Sequence, residues 1–422
     1  MKNELISQRV EWICVIILLG ISLFGIVGLL LFCLLLLIFL KQRRIGAIKM
    51  LALLAYRTIL SPGVAAPINS IQILKYFMII GLSFYLITNF NKLNHQRKRK
   101  LSIILALLTV FFLLNFGVNF FISSLPFVAT LKLILYILPF VAVFVGIGAS
   151  IDSFNWINWM TKLLCSIPVI SLPFIVLSKG YLVNHVSFQG ITNQPNMLGI
   201  ILVLTTAFVI SAYQQSIKKK SFQTIFLLIL ILIEIILSDS RTALIGYVVL
   251  IIYFFIFIDF PIMKKTIFIL SMIIIITFIF LIKGDVIINF LVNYIAKGNM
   301  SNILYSREAQ LEELKMNFLR SPIWGNGFSV PVLQEVTWKI SFDYLIETGN
   351  LIMAVLSYSG VIGFLIFILM IFAIFTQNKR HKIKLLPLFM APLLISMGEM
   401  VFFSTNNMAI WLYIMFALYC YG

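Results

Sequence analysis

The chain is a succession of apolar runs, most of them close to the length that crosses a lipid bilayer. The first run extends from Trp12 to Leu40, and clear later examples are 101–122 and 126–148. About 20 apolar residues in a helix span the hydrocarbon core, where the backbone must satisfy its hydrogen bonds internally. Because 62% of the 422 residues are hydrophobic and only 11% are charged, the sequence predicts an all-α integral membrane protein.

The runs predict a multi-span helical bundle of about 12–14 transmembrane helices in a single polytopic domain covering residues 1–422. Lys2 and Arg9 precede the first run as in a signal peptide, but no small-residue cleavage site follows, so we expect a retained anchor. The remaining candidate spans are 45–61, 70–89, 157–178, 195–213, 222–237, 241–258, 266–282, 349–376, 385–402 and 406–420.

Basic loops predict the topology. An even number of candidate spans separates each basic loop from the next, so all fall on one side, which the positive-inside rule makes cytoplasmic. This agreement favours dividing the first run into two spans at Gly25–Gly28. The net charge of +18 then reflects topology, and we expect no nucleic-acid partner. The basic loops are 41–49, 91–100, Lys218–Lys220, Lys264–Lys265 and 379–384, whereas 61–69, 123–125 and 403–405 have no basic residue.

The same parity places one large polar loop, 283–347, on the extracytoplasmic side. It mixes acidic and basic residues, which predicts a folded cap within the membrane domain. Ser306 can N-cap a helix in which Leu311, Leu314 and Phe318 recur at helical spacing, and Ser321-Pro322 would end it. Arg307 would lie at the N-terminus of this helix, where free backbone N–H groups favour anions.

Two arginines on this outer side point to a phosphate-bearing substrate. Arg241 lies at a span end, and Arg307 lies in the cap. A charge at membrane depth requires a partner or a function, and guanidinium binds phosphate in a bidentate manner. Two alternatives stay open, namely that Asp239 neutralises Arg241 in a local pair and that Arg307 is a solvated loop residue.

Candidate acid–base groups and glycan ligands lie on the same side. Glu347, where the cap re-enters the membrane, is a candidate general base, or else an interfacial carboxylate that orders the helix start. His185, in loop 179–194, is a second candidate. Asn196 can donate hydrogen bonds to a sugar, although Pro195 also fits an ordinary helix start.

Other chemistries lack the residues that they need. The four cysteines lie in apolar segments without paired spacing, and no HExxH, DxD or Cys/His cluster predicts a metal site. No Walker A, GxGxxG or GxSxG motif is present either. We therefore expect neither a metal nor another cofactor.

Short blocks of sequence follow one another in a fixed order between roughly residues 190 and 370. The blocks are Asn-x-Pro-Asn (Asn193–Asn196), Ser-Arg-Thr-Ala (Ser240–Ala243), Ser-Arg (Ser306, Arg307) with Pro-x-x-Gly-x-Gly-Phe (Pro322–Phe328), and Gly-x-x-Gly in the re-entry span (Gly360, Gly363). By their order and their placement on one side, these blocks resemble the O-antigen ligase and polysaccharide polymerase superfamily of bacterial envelopes.

The resemblance implies a metal-independent glycosyltransferase of the GT-C membrane class, with an undecaprenyl-diphosphate-linked glycan as donor. Arg241 and Arg307 match the positions that hold the diphosphate, and Asn193, Asn196 and Asn350 are the candidate glycan ligands. Ligases of this family carry His-Asn about ten residues before the first Gly of the re-entry span. Here the dipeptide is Gly349-Asn350, which favours a repeat-unit polymerase and leaves Glu347 as the nearest replacement base.

We therefore expect a polymerase of capsular polysaccharide, exopolysaccharide or O-antigen repeat units in the cytoplasmic membrane, with its active site facing outward. Its partners would be the lipid-linked donor and acceptor glycans, the bilayer and, among proteins, a chain-length regulator or a flippase. One alternative is a ligase that transfers finished glycan to another acceptor. Another is a lipid-linked glycan flippase or transporter, for which Glu234 and Glu399, in or near apolar runs, would be candidate ion sites.

Overall fold

A computed structural model describes residues 8–216, 221–257, 308–330, 349–378, 381–399, 401–403 and 408–422. In these ranges the chain forms helices and no strand, apart from an isolated bridge between Leu60 and Thr192. The helices are α1 (Gln8–Ile21), α2 (Gly25–Leu36), α3 (Arg43–Thr58), α4 (Gln72–Ile87), α5 (His95–Phe121), α6 (Pro126–Ser150), α7 (Trp156–Ser171), α8 (Pro195–Gln215), α9 (Ser221–Leu237), α10 (Arg241–Phe257), α11 (Glu308–Arg320), α12 (Leu351–Gln377), α13 (Lys382–Ser396) and α14 (Ala409–Tyr421).

Seven helical segments of the described chain are long and apolar enough to cross a membrane. Shorter apolar helices accompany them at Val10–Ile21, Phe222–Leu237, Arg241–Phe257 and Ala409–Tyr421. The prediction of an all-α, multi-span membrane protein is confirmed. The predicted span 266–282 and most of the predicted cap 283–347 lie outside the described residues.

The first apolar run folds as two antiparallel segments, as its central glycines predict. A turn at residues 22–24 joins α1 to α2, and Gly25 has a φ of +61°, a conformation that glycine adopts without a steric penalty. A 3₁₀ segment, Leu37–Gln42, continues α2. Twelve α-helical and six 3₁₀ residues together rise about 30 Å, the thickness of a hydrocarbon core.

The bundle has two ends that differ in charge. At one end, Arg97 Nη1 donates to the Gly148 carbonyl (3.0 Å) and Lys100 Nζ to the Cys420 carbonyl (2.7 Å). These bonds bring the start of α5 to the last turns of α6 and α14, and Asn378, after α12, joins them through Tyr419. We call this the basic end. The opposite end, where α6, α8, α10, α12 and α14 begin, is called the Asn196 end.

The interior of the basic end contains a buried ion pair. Lys49 Nζ lies 2.6 Å from Glu11 Oε1, and their side chains are 0% and 6% exposed. Trp159 Nε1 also donates to Glu11 (2.8 Å), and Lys49 also donates to Gln42 (2.8 Å). The ring of Phe154 lies 4.1 Å from Lys49 Nζ. These contacts fasten α1 to α3 and α7.

The central helices are apolar on all sides, whereas peripheral ones have one apolar face exposed. Every residue of α14 is buried, which is typical of a helix that is surrounded by others. By contrast, α9 exposes Phe222, Phe226 and Ile229. In a membrane protein such exposed apolar side chains face lipid, so the peripheral helices form the lipid boundary.

Candidate functional site

The block Asn193–Asn196 lies at the Asn196 end and begins α8. Pro195 occupies the first helical position, where its missing N–H costs nothing. The Asn193 N–H donates to the Ile59 carbonyl (2.9 Å), beside the bridge between Leu60 and Thr192. The end of α3 therefore holds this block in place. An ordinary helix start does not need such a contact.

A carboxylate from the far end of the chain meets this block. Asn196 Nδ2 donates to Glu399 Oε1 (3.0 Å), and Asn196 itself is exposed. Sequence reasoning treated Glu399 only as a candidate ion site of a transporter. The signal that could have found it is its place at the outer end of predicted span 385–402, on the same side as Asn196.

Arg241 begins α10 beside the same block. Gly199, one turn into α8, lies against Ser240, and a Cβ at Gly199 would lie 2.7 Å from the side chain of Ser240. A Cβ at Gly398 would lie 2.0 Å from Thr242 Oγ1. No side chain fits at either glycine, which shows that α8, α10 and the segment after α13 approach each other closely. The half-buried Arg241 therefore belongs to the same locality as Asn196 and Glu399.

His185 lies at the same end but on its surface. The residue is exposed and has a φ of 58°. Its segment is fixed through Phe188, whose N–H donates to the Leu237 carbonyl (2.8 Å) just before the turn into α10. His185 therefore lies at the predicted end, and within the described residues it forms no hydrogen bond with Asn196, Arg241 or Glu399.

The Pro322–Phe328 block has a packing role. It docks into a break in α12, where Gly360 has a φ of +62°. The Val361 N–H donates to the Pro322 carbonyl (2.8 Å) and the Gly327 N–H to the Tyr358 carbonyl (3.2 Å). A Cβ at Gly360 would lie 2.2 Å from the Ile323 carbonyl oxygen, so glycine is required here. Two blocks of the family resemblance therefore form one structural joint.

Phe328 anchors this joint in the bundle. Its buried ring packs against the rings of Tyr136 and Phe403, with centroids 5.8 and 5.2 Å away. The Phe328 N–H donates to Asn119 Oδ1 (2.8 Å), and Lys132 Nζ donates to the Ser329 carbonyl (2.6 Å). The polar loop after α11 is thereby tied to α5 and α6.

The cap helix exists, although its proposed anion site is not described. Residues Glu308–Arg320 form α11, as the spacing of Leu311, Leu314 and Phe318 predicts, and α11 packs against α12. Arg307 and Glu347 lie outside the described residues, so their predicted roles stay predictions.

Asn350 and Asn193 use their side chains differently. Asn350 Oδ1 accepts from the Met353 N–H (3.1 Å) and caps α12. Because Oδ1 is used in this cap, the amide nitrogen of Asn350 is the group that would bind a glycan, as predicted. Asn193 Oδ1, by contrast, is buried and has no hydrogen-bond partner within the described ranges, which leaves an acceptor for a hydroxyl group.

Arg57 is a buried cation at this end that the sequence analysis did not single out. It lies at the end of α3, is 0% exposed, and donates from Nη2 to the carbonyls of Ser22 (3.2 Å) and Ala66. Its Nε and Nη1 have no hydrogen-bond partner within the described chain. The sequence signal that could have identified Arg57 is its position in the last turn of an apolar run.

Charge and hydrogen-bonding capacity therefore gather at the Asn196 end from three sequence blocks. A guanidinium, a carboxylate and a carboxamide are the groups that a phosphate-bearing sugar would need for binding and proton transfer. In the described part of the chain, no group of three or more His, Cys, Asp or Glu residues could hold a metal ion. In comparisons with known proteins, no family model and no curated protein matches this chain.

Proposed function

We propose that the protein is a membrane glycosyltransferase that polymerises repeat units carried on undecaprenyl diphosphate. The convergence of Asn196, Arg241 and Glu399 at one end of an apolar bundle supports this most strongly, because each arises from a different sequence block. In this proposal the Asn196 end faces the outside of the cytoplasmic membrane, as the positive-inside rule favours for the end opposite the basic loops.

The reaction would join two glycans and release the lipid diphosphate. A hydroxyl oxygen of the acceptor attacks the anomeric carbon of the donor, and the bond from that carbon to the phosphate oxygen breaks. The hydroxyl proton passes to a carboxylate, and the leaving diphosphate takes the bonding electrons. Arg241, joined by Arg307 in this proposal, stabilises the charge that develops on the diphosphate.

The structure adds a candidate for the base. Glu347 and His185 are the candidates from sequence, and Glu399 is the described carboxylate that already contacts the Asn196 block. Asn196 would orient Glu399 toward the acceptor hydroxyl. A carboxylate within hydrogen-bonding reach of that hydroxyl is the geometric requirement of general-base catalysis.

The test compares polymer length in cells that carry each variant as their only copy. Arg241→Ala removes the cation, and we expect a fall in polymerisation of about 10²–10³-fold, the scale for losing a donor to developing charge. Arg320→Ala is the matched control, because Arg320 is an exposed arginine of α11. Glu399→Gln tests the base, and Gln194→Ala is the exposed neighbour that controls for Asn196→Ala.

The product pattern separates the alternatives. Loss of a polymerase leaves single lipid-linked repeats at the outer surface, whereas loss of a ligase leaves long lipid-linked polymer. Loss of a flippase leaves single repeats at the inner surface. Long polymer of normal amount in Arg241→Ala, Asn196→Ala and Glu399→Gln would refute the proposal.

One observation favours a transporter as the second candidate. Glu234 in α9 is buried, and neither of its carboxylate oxygens has a hydrogen-bond partner in the described ranges. Ionisable groups inside membrane helices are typical of proton and ion pathways. Glu234→Gln should leave polymer length unchanged if the protein is a polymerase and should abolish export if Glu234 drives transport.

A further inference from the structure

The basic end contains two adjoining cavities that the proposed reaction does not use. Their volumes are about 830 and 620 Å³, and Ile151, Asp152, His381 and Gly422 line both. Each volume falls in the roughly 300–1,000 Å³ range of small-molecule sites. We call the pair the basic depression. It lies opposite the Asn196 end, so any ligand here is separate from the candidate glycan site.

Among the charged side chains that line the basic depression, cations predominate. Arg97, Arg99 and Lys100 border the larger cavity and Lys384 the smaller one, whereas Asp152 is the single acidic side chain among the described residues of either lining. An arrangement of this sign attracts anions and raises their local concentration.

Two of these cations have a structural task. Arg97 forms a bidentate pair with Asp152, with nitrogen–oxygen distances of 2.7 and 2.5 Å, and also binds the Gly148 carbonyl. Lys100 binds the Cys420 carbonyl. Arg97 and Lys100 therefore satisfy the carbonyl ends of α6 and α14, a common use of basic residues at helix C-termini. Asp152 is neutralised by the same pairing.

The other two cations are available. Arg99 and Lys384 are exposed, and their side chains form no hydrogen bond or ion pair with the described residues. They lie within the first two turns of two helices, α5 and α13. The positive dipole end of a helix adds to the attraction for an anion.

Phosphate is the anion that this combination suits. Arg99 offers a planar guanidinium that can bind two phosphate oxygens, and Lys384 offers a point charge. A carboxylate ligand would use the same groups, but anionic phospholipids are the anions at highest local concentration beside a membrane helix end. The neutralised Asp152 does not oppose them.

We propose that the basic depression is a binding site for a phosphate-bearing anion, with Arg99 and Lys384 as its principal ligands. The same chemistry could come from the headgroup of an anionic lipid or from free phosphate or pyrophosphate. This inference is independent of the proposed glycosyl transfer, because its residues belong to the opposite end of the bundle.

The experiment measures binding to the purified full chain with an N-terminal tag, since Gly422 lines both cavities. One arm titrates phosphatidylglycerol against phosphatidylcholine in nanodiscs or mixed micelles. The other arm titrates inorganic phosphate and pyrophosphate at constant ionic strength. The pocket variant is Arg99→Gln with Lys384→Gln. The control is Lys41→Gln with Lys92→Gln, which removes two exposed charges that line neither cavity.

We expect the pocket variant to bind about 30-fold more weakly, because it loses direct hydrogen bonds from two side chains to the anion, each worth about 1 kcal/mol. The control should keep most of the affinity, and both variants should unfold at the temperature of the parent protein. Binding of phosphatidylglycerol alone identifies a lipid headgroup, and binding of pyrophosphate or phosphate in detergent identifies a free anion. Equal loss in the pocket and control variants, or no binding in either arm, overturns the proposal.

Discussion

The two ends of the bundle hold their polar groups in different ways. At the Asn196 end, glycines bring α8, α10 and the segment after α13 so close that a Cβ would overlap a neighbouring side chain. At the basic end, charged side chains surround open depressions, and Asp152 is 74% exposed in its pair with Arg97. Close packing fixes geometry to a fraction of an ångström, whereas exposed charges tolerate movement.

This difference indicates which end is suited to catalysis and which end is suited to the binding of an anion. A reaction needs groups in fixed positions, which the glycine contacts around Asn196 and Arg241 supply. Attraction of an anion needs only summed charge, which the basic depression supplies. The two ends should therefore respond differently to small substitutions.

The largest effect is expected for Gly360→Ala at the Asn196 end. The left-handed φ of +62° adds strain of about 1–3 kcal/mol for a residue with a side chain. Overlap of the new Cβ with the Ile323 carbonyl oxygen costs about 1–3 kcal/mol more, because a backbone atom cannot move away as a flexible side chain can. The measurement is thermal unfolding in detergent.

Gly117→Ala is the matched control, because a Cβ there would meet nothing within 4 Å. It lies inside α5, so alanine should stabilise the helix by up to about 1 kcal/mol. Equal unfolding temperatures for the two alanine variants would show that the joint between α12 and the Pro322–Phe328 block does not constrain the fold.

The second effect is expected for Glu11→Gln, which breaks the buried pair inside the basic end. Lys49 would stay at 0% exposure without a carboxylate partner, with Gln42 and a neutral amide as its polar partners. Removing one member of a buried pair costs about 3–5 kcal/mol, and we expect the low end because glutamine can still accept from Trp159. The measurement is the free energy of unfolding in denaturant. A loss below about 1 kcal/mol would show that this pair contributes no more than an exposed ion pair, and would contradict the prediction.

The smallest effect is expected for Asp152→Asn at the surface of the same end. Exposed pairs contribute about 0–1 kcal/mol, and salt screens them. The hydrogen bond from Arg97 lowers the pKa of Asp152 below its ordinary 3.8. The pair's small stabilisation is therefore present above about pH 4 and disappears as the pH falls through that lowered pKa. The parent and the variant should converge in unfolding temperature at acidic pH, and a constant difference down to pH 2 would contradict this assignment.

Much of the fold follows from sequence because membrane insertion depends on each segment separately. Predicted span 126–148 corresponds to α6 (Pro126–Ser150), and 241–258 corresponds to α10 (Arg241–Phe257). Boundaries next to charges were harder to predict. Residues 95–100 belong to the predicted basic loop 91–100 but form the first turns of α5, because Asn94 caps the helix at the Arg97 N–H (2.8 Å).

Only part of the candidate site could be predicted from the sequence. The sequence selects Asn196 and Arg241, since each lies at a span end next to a helix-start signal. It does not pair Asn196 with Glu399, which lies 203 residues away along the chain. It also does not show that Pro322–Phe328 packs into the break at Gly360, because both blocks are glycine-rich turns when taken alone.

The sequence by itself determined that this is an all-α, multi-span membrane protein, and it predicts that the basic loops lie on one side. Transfer into lipid is a local property of about 20 residues, and loop charge adds direction. Only the tertiary structure decided that Asn196 meets Glu399, that Lys49 meets Glu11, and that Arg99 and Lys384 border adjoining cavities. Such meetings depend on how each helix is rotated and how closely it packs, and those quantities are fixed by contacts between distant segments.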